Sequence, residues 1–247
     1  MKCTTILLIY NEEDNIGPQT EDILNVYKEE NINGEVLLVD DGSEDRSPEV
    51  CDELAEKYQM VRVIHHKPNK GRSFAIQTGF NEAFGEVVII MDGDRQYEPK
   101  EIPQFLAKID EGFDVVTGYR HTRADVFYRR WESIVYNRLI IKRIFGVDVL
   151  DQNSGFKAFT KEGALKMKFN PEGYLGLHRY ILPVAALAGL SIAEIPIAHY
   201  PREEGKSYIK FYSVPFIALR DYRKFVKEHK DAIRKMKARR KKEEDCI

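Results

Sequence analysis

The chain has 247 residues, 43% of them hydrophobic, which is enough for one α/β domain with a substantial core. Its 38 Lys and Arg against 40 Asp and Glu leave a net charge of −2, which excludes a wholesale nucleic-acid binder and most disordered classes. The charge is uneven, because residues 220–242 hold 12 Lys/Arg against 3 Asp/Glu, so a mildly acidic body is followed by a basic tail.

In chain order, short β-branched runs alternate with amphipathic stretches, the pattern of βαβ units and a mostly parallel sheet. Strands are predicted over Thr4–Tyr10, Glu35–Asp41, Met60–His66, Glu86–Asp92 and Asp114–Arg120, with helices near 18–30, 47–58, 71–84 and 99–110. The strands read as continuous apolar runs, as expected when helices cover both sheet faces. A long helix is predicted over about 128–145, followed by the polar segment Asp151–Phe159, a helix from His178 to Gly189, and a strand-like Ser191–Ala198. The aromatic and basic residues of 209–233 recur at helical spacing, with Pro215 at a helix start.

Three absences narrow the setting. The three cysteines, Cys3, Cys51 and Cys246, show neither a paired framework nor CxxC spacing, so a reduced, cytoplasmic environment is expected. The run Ile6–Tyr10 is too short for a secretory leader. The longest apolar stretch, Leu182–Leu190, falls below the roughly 20 residues that span a bilayer. No transmembrane segment is expected.

Each predicted strand ends in polar residues: Asn11-Glu12, Asp40-Asp41-Gly42-Ser43, His65-His66, Asp92-Gly93-Asp94 and Gly118-Tyr119-Arg120. In open α/β sheets, ligands bind at the carboxyl ends of the strands, so that edge is the expected site. Asp92 and Asp94, separated only by Gly93, can share Mg²⁺ or Mn²⁺ with a diphosphate, and Gln96 can add a neutral oxygen. The plainer alternative is a turn, since Asp-Gly pairs are ordinary turn formers. Asp40 and Asp41 can accept from a base N–H or a ribose hydroxyl, while Ser43 can simply cap the next helix. Neither GxGxxG after the first strand nor GxxxxGK[ST] anywhere is present, which argues against nicotinamide dehydrogenases and P-loop NTPases.

Taken together, Tyr10-Asn11-Glu12, Asp40-Asp41-Gly42-Ser43, Asn69-Lys70-Gly71, Asp92-Gly93-Asp94 and Asp151-Gln152-Asn153-Ser154-Gly155-Phe156-Lys157 come in the order and spacing of family 2 glycosyltransferases. Within them, the chain most resembles the dolichol-phosphate mannose synthase branch, over about residues 4–212. The resemblance implies a GT-A fold, a GDP- or UDP-hexose donor carrying mannose or glucose, a divalent metal, inversion at the anomeric carbon and a polyprenyl or dolichyl phosphate acceptor. By position, it assigns Asp92, Asp94 and Gln96 to the metal, and Tyr10, Glu12, Asp40, Asp41, Lys70, Gly71, Asp92 and Gly93 to the nucleotide. Arg120, Arg129 and Ser133 fall to the acceptor or donor phosphates, and Arg202, Lys206 and Ser207 to a segment closing over the diphosphate. The sequence departs from the pattern at Ile9, Arg95, Tyr97-Glu98-Pro99 and Tyr208.

A lipid phosphate is already an anion, so its transfer needs no general base; a hydroxyl acceptor would need one, and Asp151 is the candidate. His178 reads more simply as a packed or capping residue. The expected organisation is a catalytic domain over 1–212 and an amphipathic basic tail over 213–247. That tail is either a solvated helix or a contact with an anionic membrane surface, placing the protein at the cytoplasmic face. Two other functions stay open: transfer to a soluble or glycolipid hydroxyl, and a non-catalytic nucleotide-sugar binder. The oligomeric state is not legible.

Overall fold

The structure, a computed structural model, describes residues 2–121, 141–172, 176–201 and 222–244. Among the described residues there are seven strands: β1 (Cys3–Ile9), β2 (Gly34–Asp40), β3 (Val61–His65), β4 (Val87–Asp92), β5 (Val115–Arg120), β6 (Lys157–Thr160) and β7 (Ile192–Ile197). They form one sheet in the order β3-β2-β1-β4-β6-β5-β7. All pairs are parallel except those of β6, which runs antiparallel between β4 and β5.

The five strands expected in the first half are found within a residue or so of their predicted bounds. Their register explains why their ends meet. Ile9 lies opposite Asp40, Asp40 opposite His65, and Leu8 opposite Asp92, so the polar residues after β1, β2, β3 and β4 line one edge. β6 is not among the predicted strands. Its four residues, Lys157-Ala158-Phe159-Thr160, are too few for a readable period, and they become a strand only by filling the slot between β4 and β5.

Alternate residues of the central strands point to opposite faces, as a strand's two-residue period requires. Ile6, Leu37, Val88 and Ile90 join one apolar cluster, and Leu7, Ile9, Val36, Leu38, Ile89 and Met91 join the other. Helix α3 (Arg72–Glu82) covers the first face through Ala75, Ile76 and Phe80. Helices α1 (Glu13–Glu29), α2 (Ser47–Lys57) and α4 (Ile102–Asp110) cover the second through residues such as Ile23, Leu54 and Phe105. Helix α1 starts five residues before the predicted 18, with Pro18 inside it. Glu13 and Asp14 in its first turn suit the positive end of the helix dipole.

Of the predicted 128–145 helix, residues 141–145 are described, with Arg143–Phe145 forming an α-helical turn, and residues 128–140 lie outside the described residues. The stretch read as one helix from His178 is a 3-10 turn, Leu177–Tyr180, leading into a helix over Ile181–Leu187. The described part of the tail is helical over 222–228 and again over Lys230–Glu244. It is docked rather than loose. Phe225 is fully buried, stacked on Tyr180 and on His229 and edge-on to Phe145, with Ile233 buried in the same cluster. The apolar side of this stretch therefore faces the protein, and Arg223, Lys227, Lys230, Arg234, Lys235 and Lys237 are exposed on the other. Among the described residues, no helix is long and apolar enough to cross a membrane.

Candidate active site

On the β1–β2–β3 side, the loop after β2 is built around two buried carboxylates. Asp40 accepts from the Ser43 backbone N–H at 3.0 Å, and its second oxygen meets His65 Nδ1 at 2.8 Å. Asp41 accepts from the backbone N–H groups of Lys70 at 3.0 Å and Gly71 at 2.8 Å, and from His66 Nδ1 at 2.8 Å. Gly42 sits at φ +74°, where a Cβ would run into the Asn69 backbone. That close approach lets the two loops lock together, with Asn69 Nδ2 donating to the Asp41 carbonyl at 2.6 Å. Ser43 Oγ accepts from the Asn11 N–H at 2.9 Å, and Ser47 Oγ from that of Glu12 at 2.9 Å, so the loops after β1 and β2 are also tied. Glu12 is buried and accepts from Asn15 at 2.8 Å. Tyr10, partly exposed, stands beside them.

His65 sits between two carboxylates, Asp40 and Asp52. Burial works against its charged form, but the hydrogen bonds and charges of the two aspartates outweigh it and raise its pKa.

On the β4–β6–β5 side, carboxylates and cations alternate. Asp92 ends β4, and one of its oxygens forms an ion pair with Arg72, the first residue of α3. Its other oxygen lies where a side chain on Gly155 would stand, so residue 155 must lack a Cβ for the 151–157 loop to pass. Gly93 donates its N–H to the Leu8 carbonyl, which turns the chain directly after the strand. Gln19 of α1 holds the turn from below: its Nε2 donates to the Asp92 carbonyl at 2.9 Å and its Oε1 accepts from the Arg95 N–H at 3.1 Å. Arg95 itself adopts φ +56° and pairs with Asp22 at 3.6 Å. Asp94 is 9% exposed, with an oxygen 3.3 Å from the Gln96 N–H. Gln96 and Tyr200 are joined twice, through their backbones and through the Gln96 carboxamide nitrogen, both at 3.0 Å.

Arg120, at the end of β5, grips Asp151 with both arms of its fork, Nε to Oδ2 at 2.6 Å and Nη2 to Oδ1 at 3.1 Å. The pair is nearly sealed from solvent, with side chains 11% and 7% exposed. Glu194 of β7 fixes this loop by accepting from the Leu150 and Asp151 N–H groups. Lys157 opens β6 fully inside the protein, donating to the Ser154 carbonyl. Burial, reinforced by the neighbouring Arg120 and Arg72 and opposed by Asp151 and Asp92, pushes its pKa down to about 7. Tyr97, packed edge-on to Phe156, accepts the Gly155 N–H at 2.7 Å; burial and the nearby Asp92 push its phenol up to about 12. His178 shares the Ser73 hydroxyl through its backbone N–H and its Nδ1, a local anchoring contact.

A family model described as Glycosyl transferase family 2 matches residues 4–179, most of the chain. This chain belongs to glycosyl transferase family 2. It is 33% identical over 219 residues to a dolichol-phosphate mannosyltransferase of Pyrococcus furiosus, covering 85% of this chain and 60% of that protein. It is 32% identical over 215 residues to an undecaprenyl-phosphate 4-deoxy-4-formamido-L-arabinose transferase of Proteus mirabilis, covering 85% and 63%. The chain thus spans less than two thirds of the curated relatives it matches. Among solved structures it resembles a mannosyltransferase from Pyrobaculum calidifontis in complex with GDP-Man and Mn²⁺, with TM-score 0.61 and 17% identity over 84% of this chain and 58% of that one. It also resembles mannosyl-3-phosphoglycerate synthase from Rubrobacter xylanophilus, with TM-score 0.66 and 15% identity over 94% and 75%. The fold is GT-A.

For a family 2 chain, the site divides into residues that the motifs named and residues that only packing reveals. Asp40, Asp41, Lys70, Gly71, Asp92, Gly93, Asp94, Arg120 and Asp151 come together along one edge, together with Tyr10, Glu12 and Gln96. Arg129, Ser133, Arg202, Lys206 and Ser207 lie outside the described residues. Arg72 and Lys157 were not singled out, although both stand inside or beside quoted motifs. Arg72 follows Gly71 directly, and Lys157 comes two residues after Gly155, the glycine that the Asp92 carboxylate approaches. Tyr97, read as a departure from the family pattern, is the brace between the two loops that flank Asp92.

The family also implies a divalent metal, and the donor set fits one that is shared with phosphate. Two carboxylates one residue apart are hard oxygen donors suited to Mg²⁺ or Mn²⁺. Among the described residues no group of three His, Cys, Asp or Glu could hold a metal unaided. Other oxygens, from phosphate, water or the Gln96 carboxamide, would complete such a shell.

Proposed function

We propose that this chain transfers a hexose, mannose or glucose, from a GDP- or UDP-sugar to a polyprenyl phosphate with inversion. The observation that carries this reading is the juxtaposition, at one sheet edge, of a closed carboxylate pocket after β2 with the Asp92/Asp94 pair beside Arg72 and Arg120. The first suits the hydroxyls and N–H groups of a nucleoside, the second a diphosphate.

Asp40 and Asp41 would receive the nucleoside, with Tyr10 and Glu12 at the mouth and Lys70 and Gly71 closing the loop. Asp92 and Asp94, with Gln96 as a neutral donor, would hold Mg²⁺ or Mn²⁺, which supplies neutralisation of the negative charge that develops on the departing diphosphate. The acceptor phosphate oxygen attacks the anomeric carbon from the face opposite the diphosphate. The bond from that carbon to the diphosphate oxygen breaks, and the electron pair leaves with the nucleoside diphosphate. No proton has to be removed. That agrees with Asp151, whose two oxygens are both engaged by Arg120 and which is thereby better suited to orienting that guanidinium than to acting as a base. Arg129 and Ser133 would join Arg120 on the acceptor phosphate, and Arg202, Lys206 and Ser207 would close over the diphosphate.

The lipid acceptor implies work at a membrane surface, and the docked tail supports it. Its outward face carries Arg223, Lys227, Lys230, Arg234, Lys235 and Lys237 while Phe225 and Ile233 are held in the core. Attachment would then be electrostatic, at about 1 kcal/mol for each basic residue near an anionic surface.

The test is a transfer assay on the full chain with GDP-mannose, GDP-glucose and UDP-glucose, a short polyprenyl phosphate, and Mn²⁺ or EDTA, read by mass spectrometry. A glycosyl polyprenyl phosphate formed from one donor and abolished by EDTA is the expected result. Donor consumption that proceeds equally without the lipid phosphate, or transfer to an added hydroxyl compound instead, would overturn the acceptor assignment.

A further inference from the structure

Arg72, like Lys157, is a cation of this edge to which the steps of the reaction as described give no task. It opens α3 directly after Gly71, which adopts φ +93°, and its guanidinium pairs with Asp92, one of the two carboxylates assigned to the cation. The partner oxygen is Oδ1, which is buried; the other, Oδ2, lies beside Gly155. Asp94 and Tyr97 also lie within the electrostatic reach of Arg72. Asp92 therefore already has its positive neighbour.

Two positive groups cannot hold the same carboxylate oxygen in contact without strong repulsion, because their mutual energy rises steeply at such separations in a half-buried site. A divalent ion arriving alone must displace Arg72 from Asp92 or crowd it on the same carboxylate against that repulsion. A cation arriving with a diphosphate does not, since the planar fork suits phosphate oxygens as well as carboxylate. Resting on the donor reading above, we propose that Arg72 is an internal stand-in for the metal: it neutralises Asp92 while the donor is absent, holds off a cation that comes alone, and passes to the diphosphate when cation and donor enter together. Cation and nucleotide then bind cooperatively, and Arg72 is the residue that couples them.

The experiment is direct Mn²⁺ binding to the full chain, followed by the electron paramagnetic resonance signal of free Mn²⁺, with and without GDP or UDP. The proteins are the parent, Arg72→Gln, Arg72→Lys and Asp94→Ala, each checked for an unchanged circular dichroism spectrum. Arg72→Gln is expected to bind Mn²⁺ alone about tenfold more tightly than the parent while its nucleotide-induced gain in Mn²⁺ affinity shrinks by at least as much, a size typical of coupled sites. Arg72→Lys, which keeps the charge but not the fork, should fall between the two and serves alone if the glutamine variant does not fold. Unchanged or weaker binding of Mn²⁺ by Arg72→Gln, with the nucleotide effect intact, would show Arg72 to be a fixed structural partner and overturn the proposal alone. If Asp94→Ala binds Mn²⁺ as the parent does, or none of the proteins binds it, the cation assignment fails and this proposal fails with it.

Discussion

Asp40 and Asp41, at the end of β2, are held by backbone N–H groups and histidine rings, whereas Asp92 and Asp151, on the β4–β6–β5 side, are held by arginines. The first arrangement is fixed. Its donors belong to the fold, and a ligand binding there finds the loops already tied across Ser43, Ser47 and Asn69. The second is an array of opposed charges, three basic side chains (Arg72, Arg120, Lys157) against three carboxylates (Asp92, Asp94, Asp151). On the proposed reading the first site takes a nucleoside, which does not change charge during glycosyl transfer, so that pocket can be rigid. The second would take a diphosphate, which gains negative charge as it leaves, so that pocket would gain from counter-ions able to change partners.

The largest effect that sharpens this contrast is expected from Asp94→Ala. Transfer at saturating donor and cation should fall about 10³-fold, on the scale of removing one preorganised charge-stabilising group. Full turnover in that variant would sink the metal assignment. Next comes the buried pair on the same side. Arg120→Met should cost about 3 kcal/mol in denaturant unfolding because it removes the guanidinium that both oxygens of the buried Asp151 carboxylate engage. Adding Asp151→Asn should recover part of that loss, and a simply additive double variant would show that the two do not act as a pair.

Gly155→Ala probes geometry rather than charge. The new methyl would fall on the Asp92 carboxylate, and a displacement of about 1 Å there is expected to lower turnover about 10²-fold with little change in nucleotide affinity. If nucleotide affinity falls equally, the two halves are not independent. The smallest effect belongs to the rigid half. His65 holds its proton more tightly in the folded chain than in the unfolded one, where its pKa is near 6.5. Its contribution is therefore complete below that value and is lost as pH rises through the higher folded one. The difference in thermal midpoint between the parent and His65→Gln should shrink on going from about pH 6 to pH 8. A difference that grows over this range would contradict the Asp40–His65–Asp52 arrangement.

The five parallel strands, the helices on both faces and the carboxylate-bearing edge were legible because they rest on local signals. Apolar runs of one strand length and Asp-Gly turns at their ends survive whatever the rest of the chain does. Much of the second half rests on distant partners. Lys157-Ala158-Phe159-Thr160 becomes a strand because β4 and β5 leave room for it, and Phe225 became a core residue rather than a membrane-facing one because Tyr180 and Phe145 are there to receive it. The motif residues were likewise nameable one by one, but not their pairings. Nothing in the order of residues says that Arg72 reaches Asp92 across the sheet edge, that Arg120 closes on Asp151, or that Tyr97 braces Gly155. Sequence alone determined which chemical groups this protein places at the ends of its strands, since backbone periodicity and turn chemistry act over a few residues. Tertiary structure decided which of those groups neutralise one another, because the energy of a charge pair depends on separation and burial, and both are set only when the sheet is assembled.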